Sequence, residues 1–180
     1  VQHQLGRYKE AIDFIHRALI IIKKEFGDKH YKYGLFLNSL GLPFAMTGDF
    51  GMAFVYLKQA LQILQTNFGP DHVEVADVLM NLGDVSLKYL LELDQSKVKK
   101  QIELQTKLDE ARNFYLEAQR IVTSTFGNDH TKAQQLSSLL FIVDQFHRFK
   151  IFINEFGKRK RKMSSSMRSA GEHERGDECE

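Results

Sequence analysis

Along this chain apolar residues return every three or four positions, the interval that places side chains on one face of a helix. In "GRYKEAIDFIHRALIIIKKEFG" the stripe is Ala11, Ile15, Ala18 and Ile22, at steps of 4, 3 and 4. Stripes of this kind predict helices near 7–25, 29–47, 49–67, 71–93, 96–125 and 129–156. The punctuation between them is written three times, as FGDKH from Phe26, FGPDH from Phe68 and FGNDH from Phe126. Gly27 stands where a helix needs a left-handed terminating residue. Asp28, Asp71 and Asn128 or Asp129 are the expected acceptors for the free amides of the helix that follows.

The punctuation marks an internal repeat. At the 42-residue offset from Phe26 to Phe68, Gly6 falls on Gly48, Ala11 on Ala53, Ala18 on Ala60, Leu19 on Leu61, Leu40 on Leu82 and Gly41 on Gly83. The third copy lies 58 residues after the second, with Ala53 on Ala111, Ala60 on Ala118 and Phe68 on Phe126, so it carries an insertion. A period of this length belongs to stacked supersecondary units rather than to one closed core. The insertion, "LELDQSKVKKQIELQTK" from Leu91 to Lys107, keeps helical composition and a sparse stripe at Val98, Ile102 and Gln105 or Leu108. It is expected to lengthen two helices into a hairpin that extends past the body.

The run "GDFGMAFVYLKQALQILQTNFGPDHVEVADVLMNLGDV" resembles the tetratricopeptide repeats of kinesin light chain and its relatives. It shares their pattern of G-x-[YF]-x-x-A, A-L-x-I, [LF]-G-x-x-H and L-x-N-L, and the likeness covers about residues 5 to 140. The resemblance implies an all-α fold, a right-handed α-solenoid of antiparallel helix pairs closed by a long C-terminal capping helix. The array is expected over 1–156, in units near 6–47, 48–105 and 106–156, with a basic then polar disordered tail at 157–180. The last unit is degenerate: Thr106 replaces the turn glycine, Gln119 stands for Leu61, and "SSLL" at 137–140 stands for "LMNL". The chain opens on the second helix of a unit, which points to a missing first helix. The "LIII" run at 19–22 agrees, since a helix apolar on nearly every side should be covered on both.

Such arrays present a groove lined by the first helix of each pair, so the resemblance implies a protein partner rather than a small-molecule substrate. The expected lining is Leu35, Asn38, Leu42 and Ala45, then Asp77, Met80, Asp84 and Leu87, then Gln135, Ser138, Ile142 and Gln145. Tetratricopeptide domains that hold a terminal carboxylate use Lys, Arg and Asn here, and only Asn38 matches. An apolar, mildly acidic groove favours a peptide or amphipathic helix of basic character. Asn38 and Asn81 have an alternative role, bonding helix pairs together through their amides.

Chemistry beyond binding finds little support. His30, His72 and His130 occupy equivalent positions, roughly two helix spacings of about 8–10 Å apart, too far for one metal ion. They read as packing or hydrogen-bonding residues at the hairpin junctions. The chain holds no phosphate-cradling glycine loop, no H-E-x-x-H, no C-x-x-C and no G-x-S-x-G. Asp109 and Glu110 are neighbours and point about 100° apart on a helix, so they make no acid/base pair. We therefore expect no enzyme activity, no cofactor and no metal.

Composition narrows the class further. With 43% hydrophobic and 27% charged residues the 180-residue chain matches a soluble folded protein, and its longest apolar run is far short of a membrane span. A secretory leader is not evident, and the single cysteine, Cys179, fits a reducing compartment. The net charge of +2 comes from the tail, which leaves a balanced body and argues against nucleic-acid binding. These features suit a cytoplasmic protein, and the resemblance adds cytoskeletal or ciliary association.

The terminal helix carries two stripes. Leu136, Leu139, Leu140, Val143 and Phe146 form one, and Phe141, Ile142, Phe149, Phe152 and Phe156 the other. One neighbour cannot cover both. The second stripe is a candidate interface for another chain, a homo-oligomer included; the alternatives are folding back along the array and lying on a membrane surface. The basic block from Lys158 to Lys162 is a nuclear-import signal, a contact for anionic lipid or nucleic acid, or a solvated helix end. Ser164, Ser165 and Ser166 beside it are candidate phosphorylation sites. Two functions follow: a scaffold that binds a partner in its groove, or an architectural or oligomerisation segment of a larger protein.

Overall fold

The structure, a computed structural model, describes residues 2–92 and 98–148. The described residues form α1 (Gln2–Phe26), α2 (Tyr31–Met46), α3 (Phe50–Phe68), α4 (Val73–Glu92) and α5 (Val98–Phe126), with a further helix, α6, over 131–148. They contain no strand. Two compact units divide the chain, Val1–Val143 and Asp144–Glu180, and the packing described below is that of the first. Phe149, Phe152, Phe156, the Lys158 to Lys162 block, Ser164, Ser165, Ser166 and Cys179 lie outside the described residues.

The fold is all-α, a stack of antiparallel helix pairs. Contact is deepest between α2 and α3 and between α4 and α5, and α1 packs on α2, α3 on α4, and α2 on α4. The repeated small residues set these distances. A methyl group placed on Gly41 would lie 2.5 Å from Leu57 Cδ2, and one on Gly83 would lie 2.5 Å from Tyr115 Cε1. Each of these glycines lets the facing helix press a large buried side chain against bare backbone. Ala53, Ala60, Ala111 and Ala118 are fully buried in the same interfaces, together with Leu64, Ile121 and Val122.

The threefold punctuation takes one geometry each time. Phe26, Phe68 and Phe126 end their helices, and Gly27, Gly69 and Gly127 follow with φ of 85°, 87° and 83°, a region that side chains disfavour. The residue that starts the next helix is the histidine, not the aspartate or asparagine expected from cap preference. His30 Nδ1 accepts from Lys32 N, His72 Nδ1 from Glu74 N and His130 Nδ1 from Lys132 N, each at 3.2 Å. Each imidazole also stacks on the phenylalanine four residues before it, at 4.8, 4.4 and 4.6 Å between ring centres. That stacking holds the ring over the helix start, which the shorter acid side chains cannot do. Because Nδ1 accepts, the neutral ring carries its proton on Nε2.

Neighbouring junctions are tied to one another. Tyr31 reaches Phe68 at 5.1 Å, and Asn67 Nδ2 donates to Lys29 O at 2.8 Å. At the next junction the Arg120 guanidinium does the equivalent work, pairing with Asp71 and with Glu117 on its own helix. The insertion lengthens α4 and α5 relative to α2 and α3, as its composition predicts. In α6 the first stripe is core: Leu136, Leu140 and Val143 are buried and Leu139 is half-buried, while Phe146 is exposed. Phe141 and Ile142 of the second stripe are exposed.

Two substitution pairs test this account by urea unfolding. Gly41→Ala should lose about 1–3 kcal/mol by overpacking Leu57, whereas Gly6→Ala, inside α1 with open space around it, should gain about 0.5–1 kcal/mol. His72→Ala should lose about 1–2 kcal/mol through the cap and the ring contact. His72→Asp restores an acceptor without the ring, and should regain roughly half of that loss. Equal stability of the two His72 variants would show that the hydrogen bond contributes nothing.

Candidate functional site

The groove residues expected from the repeat fall on α2 and α4, which pack side by side, and on α6. Leu42 is 47% exposed, Leu35, Asn38, Met80 and Leu87 are half-buried, and Gln135, Ser138 and Ile142 are exposed. Ala45 is fully buried and lines nothing.

Polar contacts tie the face together across helices. Asn81 Nδ2 on α4 donates to Asn38 Oδ1 on α2 at 2.9 Å, so the two amides bond the helix pair in the way their alternative role required. Lys132 at the start of α6 donates to both carboxylate oxygens of Asp77, at 2.7 and 2.9 Å. Gln119 Nε2 on α5 reaches Ser137 Oγ at 2.8 Å. Nothing in the residue types alone paired Lys132 with Asp77, which stand 55 positions apart.

Asp84 turns from the face into the α4–α5 interface, where it accepts from the Tyr115 hydroxyl at 2.6 Å. Burial raises its pKa above the ordinary aspartate value of 3.8, and the bond from Tyr115 opposes this without cancelling it. The same burial, with the adjoining carboxylate, pushes the Tyr115 hydroxyl upward as well, so it stays a donor. Both acids of the expected groove are therefore engaged, Asp77 by a lysine and Asp84 by a phenol. The charge offered to a basic ligand is correspondingly reduced, and what remains on the face is chiefly apolar.

The three equivalent histidines are each occupied as helix caps, and among the described residues no three His, Cys, Asp or Glu side chains gather into a metal site. Nor is any described helix long and apolar enough to cross a membrane.

With helix pairs, glycine contacts and junctions in view, comparison with known families gives one result. Residues 1–66 match the tetratricopeptide repeat family model. The match covers α1, α2 and most of α3; beyond it α4 repeats residues of α2 at an offset of 42, and α5 repeats residues of α3 at an offset of 58. No curated protein matches the chain. Tetratricopeptide repeats generally act as non-enzymatic scaffolds in protein–protein interaction.

The raised pKa of Asp84 gives a pH test. A carboxyl whose folded pKa lies above its unfolded one contributes stability that is full below the unfolded value and lost as pH rises through the folded value. Asp84→Asn keeps an acceptor for Tyr115 and cannot ionise, so its loss of stability on raising pH upward from 3.8 should be smaller than that of the wild type. Denaturant midpoints across that range measure the difference. A wild type and variant with parallel pH profiles would show that Asp84 ionises without cost.

Proposed function

We propose that the protein is a non-enzymatic interaction scaffold that holds a partner peptide or amphipathic helix on the face shared by α2 and α4. The observation that carries this reading is the pairing of α2 directly with α4, tied by Asn38 and Asn81, with Leu42 projecting beside them and Leu35 and Met80 half-buried. Side chains at this intermediate burial, on helices already fixed by a packed interior, can anchor a ligand with little further ordering. Asn38, Asp77 and Asp84 then serve the face by fixing its helices, and the anchor energy comes from Leu35, Leu42 and Met80. A likeness to kinesin light chain supports cytoplasmic work on cytoskeletal or ciliary cargo, by resemblance alone.

The exposed Phe141 and Ile142 of α6 favour a second reading, in which the array is an architectural or oligomerisation segment of a larger protein. Solution mass separates the two, since a self-associating segment forms dimers that Phe141→Glu dissociates.

For the groove, peptides selected on the full chain from a display library of amphipathic helices provide the ligand. Leu42→Glu and Met80→Glu should each weaken the selected peptides by about tenfold or more, while Val55→Glu, at an exposed position of α3, leaves them unchanged. Peptides that bind all three variants equally would remove the groove from consideration.

A further inference from the structure

A backbone acceptor on α2 has lost its partner to the sequence. Pro43 lies inside this helix and carries no N–H, so the carbonyl of Ser39, four residues earlier, lacks the donor that a regular turn supplies. The carbonyls at the end of α2 are provided for: Pro43 O accepts from Thr47 N at 3.1 Å, Phe44 O from Asp49 N at 3.0 Å and Ala45 O from Gly48 N at 3.2 Å. Among the described residues, side-chain donors reach the carbonyls of Leu35 and Phe44 on this helix and not that of Ser39. Ser39 is exposed. At 3.6 residues per turn it stands within about 60° of Leu35, Leu42 and Pro43, with the buried Leu37 and Gly41 on the opposite side. Carbonyls on the outer side of a helix tilt toward water, and a proline there opens the turn further.

Ser39 supplies a second acceptor at the same place. Its hydroxyl donates to Leu35 O at 3.1 Å, which leaves the oxygen with its lone pairs. Asn81 Oδ1 is a third, since the Asn81 amide donates to Asn38 Oδ1 and its own oxygen accepts from none of the described residues. The amide nitrogens of Asn38 and Asn81 keep donors as well, which suit carbonyls of a ligand's backbone. The acids of the face do not compete, because Asp77 is held by Lys132 and Asp84 by Tyr115. What α2 itself presents between Leu35 and Leu42 is a pair of uncharged acceptors on one residue.

We propose that Ser39 seats an arginine side chain of the partner, a reading that rests on the groove proposed above. Two acceptors on one residue call for two N–H donors on one group, and a guanidinium offers five in a rigid planar fork with no acceptor of its own. It is also weakly hydrated, so it leaves water for neutral oxygens at less cost than an ammonium does, and its flat faces suit the apolar surface of Leu35 and Leu42. An amphipathic helix can reach these acceptors only through a side chain, because its backbone N–H groups are engaged in its own turns. Pro43 is then a positioning residue, acting through the carbonyl it leaves open.

Pro43→Ala returns an N–H to Ser39 O and is the decisive variant. Peptides are selected from the display library of amphipathic helices on the full wild-type chain and, in parallel, on the full Pro43→Ala chain. Arginine should be enriched at one position of the peptides taken from the wild type and not in those taken from Pro43→Ala. In the tightest wild-type peptide, replacing that arginine by methionine should weaken binding to the wild type about tenfold and binding to Pro43→Ala less than about twofold, measured by fluorescence anisotropy. An unfolding midpoint no lower than that of the wild type verifies that Pro43→Ala folds, as loss of a helix-interior proline predicts. Should the midpoint be lower, Ser39→Ala, which removes the hydroxyl acceptor at an exposed position, takes its place in the same comparison. The proposal is overturned if the wild-type peptides carry no excess of arginine, if lysine serves equally well, or if the methionine replacement has the same effect on both chains. Enriched peptides that lose affinity with Leu42→Glu yet carry no arginine overturn this seat and leave the groove standing, whereas no enriched peptide on either chain overturns both.

Discussion

Close approach of helices at a missing side chain governs this molecule. Where Gly41 faces Leu57 and Gly83 faces Tyr115, two helix axes come near enough that a single methyl group would overlap its neighbour. That contact sets the register of each pair, because only one residue per turn of the partner fits against bare backbone. The alanines on either side, Ala53 with Ala60 and Ala111 with Ala118, keep the seam narrow along its length. Repetition of the seam makes a stack, and the residues left outside it become the available surfaces.

Junction chemistry serves the same seam. Each helix that ends at Phe-Gly must restart at a defined angle for the next small residue to meet its partner. A histidine held flat on the preceding phenylalanine and accepting an amide from the new helix fixes both ends of that turn at once. The acids that follow each glycine are better helix caps by general preference, yet they carry no ring to stack. Asn67 and Arg120 then tie one junction to the next, through a backbone carbonyl in one case and a carboxylate in the other.

The faces that remain differ in kind. On the α2–α4 side, polar side chains are spent on each other, Asn38 with Asn81 and Asp77 with Lys132, which leaves leucine and methionine as the available contacts. On α1, Phe14 and Ile21 are exposed while Leu19 and Ile22 are buried. In α6 the position equivalent to Gly41 and Gly83 is Phe141, an exposed ring.

Residue periodicity and the 42-residue offset were enough to determine the helices, the repeat and the small-residue stripe, because each depends on local spacing that any one copy displays. They also located the punctuation and the lengthened pair α4 and α5. Which atom caps each helix was decided only in three dimensions, where stacking on Phe26, Phe68 and Phe126 outweighed the intrinsic preference for an acid. The engagement of Asp77 by Lys132 and of Asp84 by Tyr115, and the burial of Ala45, were likewise settled by packing. Such contacts join residues tens of positions apart, and a charge read along the chain carries no record of the group that will meet it across a helix interface.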